Sequence, residues 1–521
     1  MLTALGLIFL AAANLWACGP VFSWAYFSQE SMNLAALMDP LFKFSLNAMN
    51  EFESYGVWRP VGGLIWWLKY LVAGDTFWGQ HLTEYLGYSL AAFGVYLLLR
   101  QTTKSSFLAA VIAVTCWFLP ARISCIAYFI TGTTWMLLLG FFALYWGVKG
   151  VEERSWKTIT LSCVSFASAL LTREYSVIFW AVLVGYYVIV EPSSFRHRRK
   201  SVYALLLSWS VLLTWFLVMR LAVFGDRIPY PLVNSTLSPH RFLLCFSHIP
   251  PLAVKSFAGG DSLRLILSSA KTALPFGFYS LLAAIGAFLF FRRQTDAPPT
   301  EKRSFWFRLA LWGGVCCLFA GLPFAYLRDI VETPSYFFIT PKDGTEHHRI
   351  ILVFFFSLWT LFFIARAISA RVTLILGVLV TTLLFQLDAS YFRFPEGSTY
   401  ASWGEEGTAV PTFEKNIKDL NLPPGAKIVY WDSTVSSVPL LTHMLSLRLL
   451  RLSMPHRWRL ESWGTLFQRD SAPLPCNRPV DPGVALYVWS HVSPDEPNLI
   501  RVMGYLPADD RTMTLMKFRL P

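Results

Sequence analysis

Residues 2–27 read LTALGLIFLAAANLWACGPVFSWAYF, with no charged side chain anywhere in the stretch. As a helix it would rise about 39 Å, enough to cross the roughly 30 Å hydrocarbon core of a bilayer. A secretory signal opens on a positive segment, whereas the first Lys or Arg here is Lys43. The stretch is therefore read as an uncleaved first span. Similar apolar runs recur along the chain, roughly eleven in all. The later ones include 202–224, 270–291, 306–327, 349–365 and 372–388. The run from Val61 to Ala73 is too short to cross, follows Arg59 and contains Lys69, which predicts an interfacial or re-entrant helix.

The composition agrees with this reading. Of 521 residues, 55% are hydrophobic and 15% charged, and the mean hydropathy is +0.47. Soluble domains carry roughly 25% charged residues, so this chain lacks the polar side chains to cover a water-soluble fold of its size. The 21 Trp and 43 Phe suit lipid contact and interfacial belts. Of the eight cysteines, Cys18, Cys116, Cys163, Cys316 and Cys317 lie inside apolar runs, and no spacing suggests a disulfide framework. The net charge of +12 could point to nucleic acid in a soluble protein. Here much of it sits in short loops between apolar runs, so no nucleic-acid partner is expected.

Those loop charges orient the chain. One set of alternate loops holds Arg100, Lys104, Lys149, Arg154, Lys157, Arg196, Arg198, Arg199, Lys200, Arg292, Arg293, Lys302, Arg303, Arg366 and Arg371 within about 46 positions. The opposite set holds about 12 basic residues in roughly 130 positions. Positive loops stay in the cytoplasm, so the loops at 28–75, 225–269 and 328–348 are expected outside. An odd number of spans puts the tail there too. The expected fold is a polytopic α-helical membrane domain over 1–388, with its interfacial first loop at 28–75. A small extracytoplasmic mixed α/β domain follows over 389–521. Short strands are expected near 426–431, 484–489 and 499–502, with a helix over 435–451.

Channels and proton-coupled carriers place ionisable groups within their spans, but these spans are poor in them. The acids gather at the expected outer edge, among them Glu30, Glu51, Glu53, Glu84 and Glu174, with Arg59, His81, Arg122, Arg173, His347, His348 and Arg349 at the same level. That layering points to a reaction site near the outer interface. Several strings carry more. Gln29-Glu30 follows the first span, and Tyr55-Gly56-Val57-Trp58-Arg59-Pro60 ends the first loop. His81-Leu82-Thr83-Glu84 opens the second span, and Leu171-Thr172-Arg173-Glu174 joins two later ones.

In order and spacing these strings resemble the protein O-mannosyltransferase-like group of GT-C membrane glycosyltransferases, chiefly over residues 1–190. The departures are Gln29 in place of the first of two adjacent acids, Arg173 in place of a lysine, and no acid in the loop around Ser124. The resemblance implies a GT-C-like fold of about eleven spans. It also implies transfer of a sugar from a polyprenyl-phosphate carrier to an extracytoplasmic glycan, lipid or protein, in a bacterial inner membrane. An acceptor hydroxyl must lose its proton as it attacks, which a carboxylate within reach accomplishes. Glu30 is the candidate catalytic base. The departing phosphate needs cationic donors. Arg59, His81, Glu84, Arg173, Glu174, His347, His348 and Arg349 are the candidate substrate-binding residues.

No metal site is expected, because Glu346, His347 and His348 lack a recognised ligand spacing. The lipid-linked donor is a co-substrate rather than a resident cofactor. Two alternatives stay open. A polysaccharide ligase or polymerase would centre on the loop at 225–269, with Arg227, His240, Arg241, His248, Lys255 and Arg264. A transporter or flippase of lipid-linked material would carry paired repeats and intramembrane charges, which the sequence does not display.

Overall fold

The computed structural model describes residues 2–23, 59–73, 77–119, 122–127, 132–224, 273–292, 303–326, 370–393, 427–432, 459–462, 484–490 and 499–505. The helices fall in one unit and the strands in another.

In the helical unit, α1 (Leu2–Cys18) runs on into a 3-10 turn at Gly19–Ser23, and α2 is Pro60–Ala73. The next helices are α3 (Phe77–Thr103), α4 (Ser106–Trp117), α5 (Arg122–Ala127), α6 (Thr133–Glu153) and α7 (Trp156–Thr172). A 3-10 turn at Glu174–Ser176 leads to α8 (Val177–Gly185), which ends in a π-helical turn at Tyr186–Val190. Then come α9 (Ser194–His197), α10 (Arg199–Phe224), α11 (Ala273–Arg292), α12 (Arg303–Tyr326) and α13 (Ala370–Arg393). Among the described residues, four helices are by length and composition long and apolar enough to cross a membrane: Leu2–Phe22, Trp78–Thr103, Thr133–Glu153 and Arg199–Ala222. The expected spans at 270–291, 306–327 and 372–388 coincide with α11, α12 and α13, and 349–365 lies outside the described residues.

Apolar helices in lipid gain little from hydrophobic contact with each other, so close packing of small residues holds them together. The crossing of α1 and α11 shows this. A Cβ added at Gly6 would stand 2.9 Å from Gly286 O, and one at Gly286 would stand 3.0 Å from Gly6 O. Likewise a Cβ at Gly140 of α6 would fall 2.1 Å from the Phe179 ring of α8. Aromatic rings fill the wider gaps. Phe166 stacks on Trp209 at 3.9 Å, and Trp16 on Tyr279 at 4.4 Å. The buried Trp312 indole donates to Val182 O at 2.9 Å.

Serines set the helix starts where the chain reverses. Ser105 accepts the Leu108 N–H and Ser155 the Thr158 N–H, each filling an otherwise orphaned helix-end donor. Helix α6 begins differently, at Gly132, whose φ of +66° lies in the left-handed region that side chains disfavour. The beginnings of α3 and α6 meet through Glu84 and Trp135, and their far ends through Gln101 and Glu152. The two helices therefore run in the same direction, and polar groups collect at both ends.

The second unit contains a four-stranded sheet of β1 (Lys427–Asp432), β2 (Arg459–Ser462), β3 (Val484–Ser490) and β4 (Leu499–Tyr505), in the order β2-β1-β3-β4. Strand β1 pairs in parallel with β2 and β3, and β4 pairs antiparallel to β3 with an irregularity at Leu486/Tyr487. Three strands stand close to their expected positions; β2 was not expected. The predicted helix at 435–451 lies outside the described residues.

Candidate functional site

Helix α2 starts as a helix should, with Pro60 at its first position, where no N–H is needed. Gly63 N–H donates to Arg59 O at 2.9 Å, so Arg59 caps the first turn. Gly62 lets this turn rest on the end of α7, where a Cβ would stand 3.1 Å from Thr172 O. That approach brings Arg59 to the residue pair following α7. Its Nε and Nη2 donate to Glu174 Oε2 at 3.2 and 3.0 Å. The two side chains are 18% and 16% exposed. Both donors share one oxygen. Glu174 Oε1 is buried and finds no hydrogen-bond partner among the described residues. Burial by itself would raise the Glu174 carboxyl, but the Arg59 charge and the hydrogen bonds to the carboxylate outweigh it. The group is held below the ordinary carboxylate range.

Arg173 turns the other way. It is 2% exposed, Nη1 donates to Thr133 Oγ1, and the guanidinium lies 5.4 Å from the Tyr175 ring centroid. Adjacent residues of one motif therefore tie α7 to α2 through Glu174 and to α6 through Arg173.

Glu84 is buried beneath α2. Its Oε1 accepts from Lys69 Nζ and, at 3.0 Å, from Trp135 Nε1. Burial pulls the Lys69 ammonium below its ordinary value, and Glu84 pulls it part of the way back. His81, one turn earlier, is fully buried with Nδ1 2.9 Å from Ile126 O. A carbonyl can only accept, so in this bond Nδ1 carries the hydrogen. At the same end, the fully buried Arg122 donates through Nη1 to Asn14 Oδ1 at 2.7 Å and to Trp117 O at 2.6 Å.

The structure thus brings Arg59 to Glu174, sets Arg173 beside them and seats Glu84 and His81 in the same end of the bundle. Glu30, Gln29, His347, His348 and Arg349 lie outside the described residues, as does the 225–269 loop. Ser124 falls on α5. The candidate set omitted Lys69 and Trp135. A lone lysine inside Gly62–Ala73, an otherwise apolar run, was the available signal for Lys69; nothing in the sequence marks Trp135 among 21 tryptophans. Among the described residues no three of His, Cys, Asp or Glu come together as a metal site would require. Arg59, Lys69, Arg122 and Arg173 gather at this end of the bundle with the carboxylates of Glu84 and Glu174.

The opposite end is separate. From Glu84 to Gln101 helix α3 rises about 26 Å, and there Lys104 pairs with Glu152 at 2.8 Å while Arg154 donates to His197 O at 3.2 Å.

Residues 59–219 match the family model described as dolichyl-phosphate-mannose-protein mannosyltransferase. The match begins at Arg59 and takes in α2 to α9 and most of α10. No curated protein matches the chain. Several solved structures are similar to it, two of them of one protein. One is ArnT from Cupriavidus metallidurans in the apo state, at 12% identity and a TM-score of 0.41, covering 88% of this chain and 85% of that one. The other is the same protein bound to undecaprenyl phosphate, at 15% identity and a TM-score of 0.40, covering 93% and 92%. The chain resembles the GT-C membrane glycosyltransferases of the protein O-mannosyltransferase-like group.

Proposed function

We propose that this protein is a membrane glycosyltransferase that moves a sugar from a polyprenyl-phosphate carrier to a hydroxyl on an extracytoplasmic glycan, lipid or protein. The observation that carries this reading is the Arg59–Glu174 pair, which brings together two of the motifs in the stretch matched to mannosyltransferases. The loop charges support an outward-facing site, because the dense basic set lies at the other end of α3 and α6.

The chemistry follows from the charges that move. The acceptor oxygen attacks the anomeric carbon, the bond from that carbon to the phosphate oxygen breaks, and the phosphate leaves with the electron pair. The acceptor proton passes to a carboxylate, assigned here to Glu30. Charge developing on the leaving phosphate is met by Arg59, whose guanidinium offers several N–H groups in a fixed plane. Arg173, held by Thr133, adds positive potential from behind. His347, His348 and Arg349 are assigned to the same phosphate, and His81 and Glu84 to the wall beneath it. The strands are assigned to a small α/β domain on the extracytoplasmic side of the membrane.

Lipid-linked sugars extracted from cells with and without the gene test the proposal. One polyprenyl-phosphate sugar should accumulate when the gene is lost and fall back when it is restored. An unchanged profile of such lipids overturns the reading.

A further inference from the structure

Helix α2 carries Arg59 at its start and is apolar along almost its whole length, with Lys69 its one charged residue over Pro60–Ala73. Against an apolar bundle in lipid, such a helix gains nothing by turning one face rather than another inward, because lipid tails are as apolar as its neighbours. Leu64, Leu68, Leu71 and Val72 are in fact exposed. Yet a slip of one residue turns a helix by about 100°, which would swing Arg59 away from Glu174. Something other than hydrophobic contact has to fix the rotation.

The buried charges do so. Lys69 is 4% exposed and Glu84 1%. Their contact joins α2 to α3, and Trp135 brings α6 to the same carboxylate oxygen. A buried ion pair seldom adds net stability, since removing two charges from water offsets their attraction; its best-attested use is to specify one arrangement over others. Gly62 against Thr172 is a second fixed point, about two turns earlier. A helix tied at two levels can neither slide nor rotate.

We propose that Lys69 is a positioning residue: its buried pair with Glu84 sets the rotation and register of α2 and thereby holds Arg59 in place for the carrier phosphate. The last step rests on the function proposed above; the setting of the helix does not.

The single variant Lys69→Met would strand a buried carboxylate and could fail to fold, so the test uses Lys69→Met with Glu84→Gln, which removes both charges and keeps an acceptor for Trp135. Full-length protein with its native cysteines replaced by alanine, in lipid nanodiscs, carries spin labels at Leu71→Cys on α2 and Val164→Cys on α7, both exposed positions. The parent should give one narrow distance, and the neutral pair a broad or shifted distribution at nearly unchanged melting temperature. Its affinity for undecaprenyl phosphate should fall by about tenfold or more. A distance distribution equal to the parent's overturns the proposal. So does a changed distribution with undecaprenyl phosphate affinity intact. If the parent itself fails to bind undecaprenyl phosphate, the function reading fails, and the distance measurement alone decides whether the pair sets the helix.

Discussion

Arg59 and Glu174 are 115 positions apart, yet Nη2 of the first lies 3.0 Å from Oε2 of the second. Nε reaches the same oxygen, so the guanidinium is spent on half of the carboxylate while Oε1 stays buried without a partner among the described residues. Two donors converging on one oxygen tie the start of α2 to the residue that follows α7.

A lysine cannot reproduce that arrangement, because its ammonium is a single point of charge on a flexible stem. Arg59→Lys should insert and express normally but bind undecaprenyl phosphate on the order of tenfold more weakly or worse, the worth of a charge-assisted hydrogen bond of about 1.5–3 kcal/mol. Near-normal binding by the lysine variant would reassign Arg59 to anchoring α2.

Glu174 supplies a pH test. Its carboxyl is held below the ordinary range, so the folded state keeps it charged more readily than the unfolded state does. The stabilisation is complete above the ordinary glutamate value of about 4.3 and fades as pH falls through the lower folded value. Melting temperatures of the parent and Glu174→Gln should differ most near neutrality, with the parent higher, and converge in acid. A constant gap across that range would show that the charge of Glu174 is not the source of the difference.

Glu30 is the assigned base, and Glu30→Gln keeps shape while removing proton acceptance. General-base catalysis contributes about 10² to 10⁴, so turnover should drop at least about a hundredfold while undecaprenyl phosphate binding barely moves. A variant that retains more than about half the parent rate despite the loss of so large a factor sends the search for the base to Glu51, Glu53 or Glu174.

Orientation is open to direct measurement. Reporter fusions at Asn50 and after Ser390 should both behave as exported. A cytoplasmic signal from either one overturns the sidedness and the site built on it.

The helices were legible because apolar runs bounded by basic residues leave few alternatives, and the Arg59 and Glu174 motifs were legible as strings. Their meeting was not, since it depends on Gly62 resting against Thr172, a contact between distant segments. Lys69 and Glu84 show the same limit. Each stands out as a charge in an apolar neighbourhood, but which carboxylate a lysine finds depends on helix rotation, and apolar flanks do not encode rotation. Strand β2 escaped notice for a different reason. Arg459–Ser462 is short and mostly polar, so it has neither the alternation nor the β-branched residues that announce a strand, and its place beside β1 is set by pairing.

Gly132 carries a consequence for how this protein can vary. Its φ of +66° disfavours most side chains on backbone grounds, and a Cβ there would also stand 3.3 Å from the Thr172 methyl group. In a library sampling every amino acid at every position, the column at 132 should thin while those at the exposed Leu207 or Val218 stay full. Asparagine, which tolerates left-handed backbone best after glycine, should be the last survivor. A drifting sequence could exchange much of its lipid-facing surface and still be held to one atom's width at this turn.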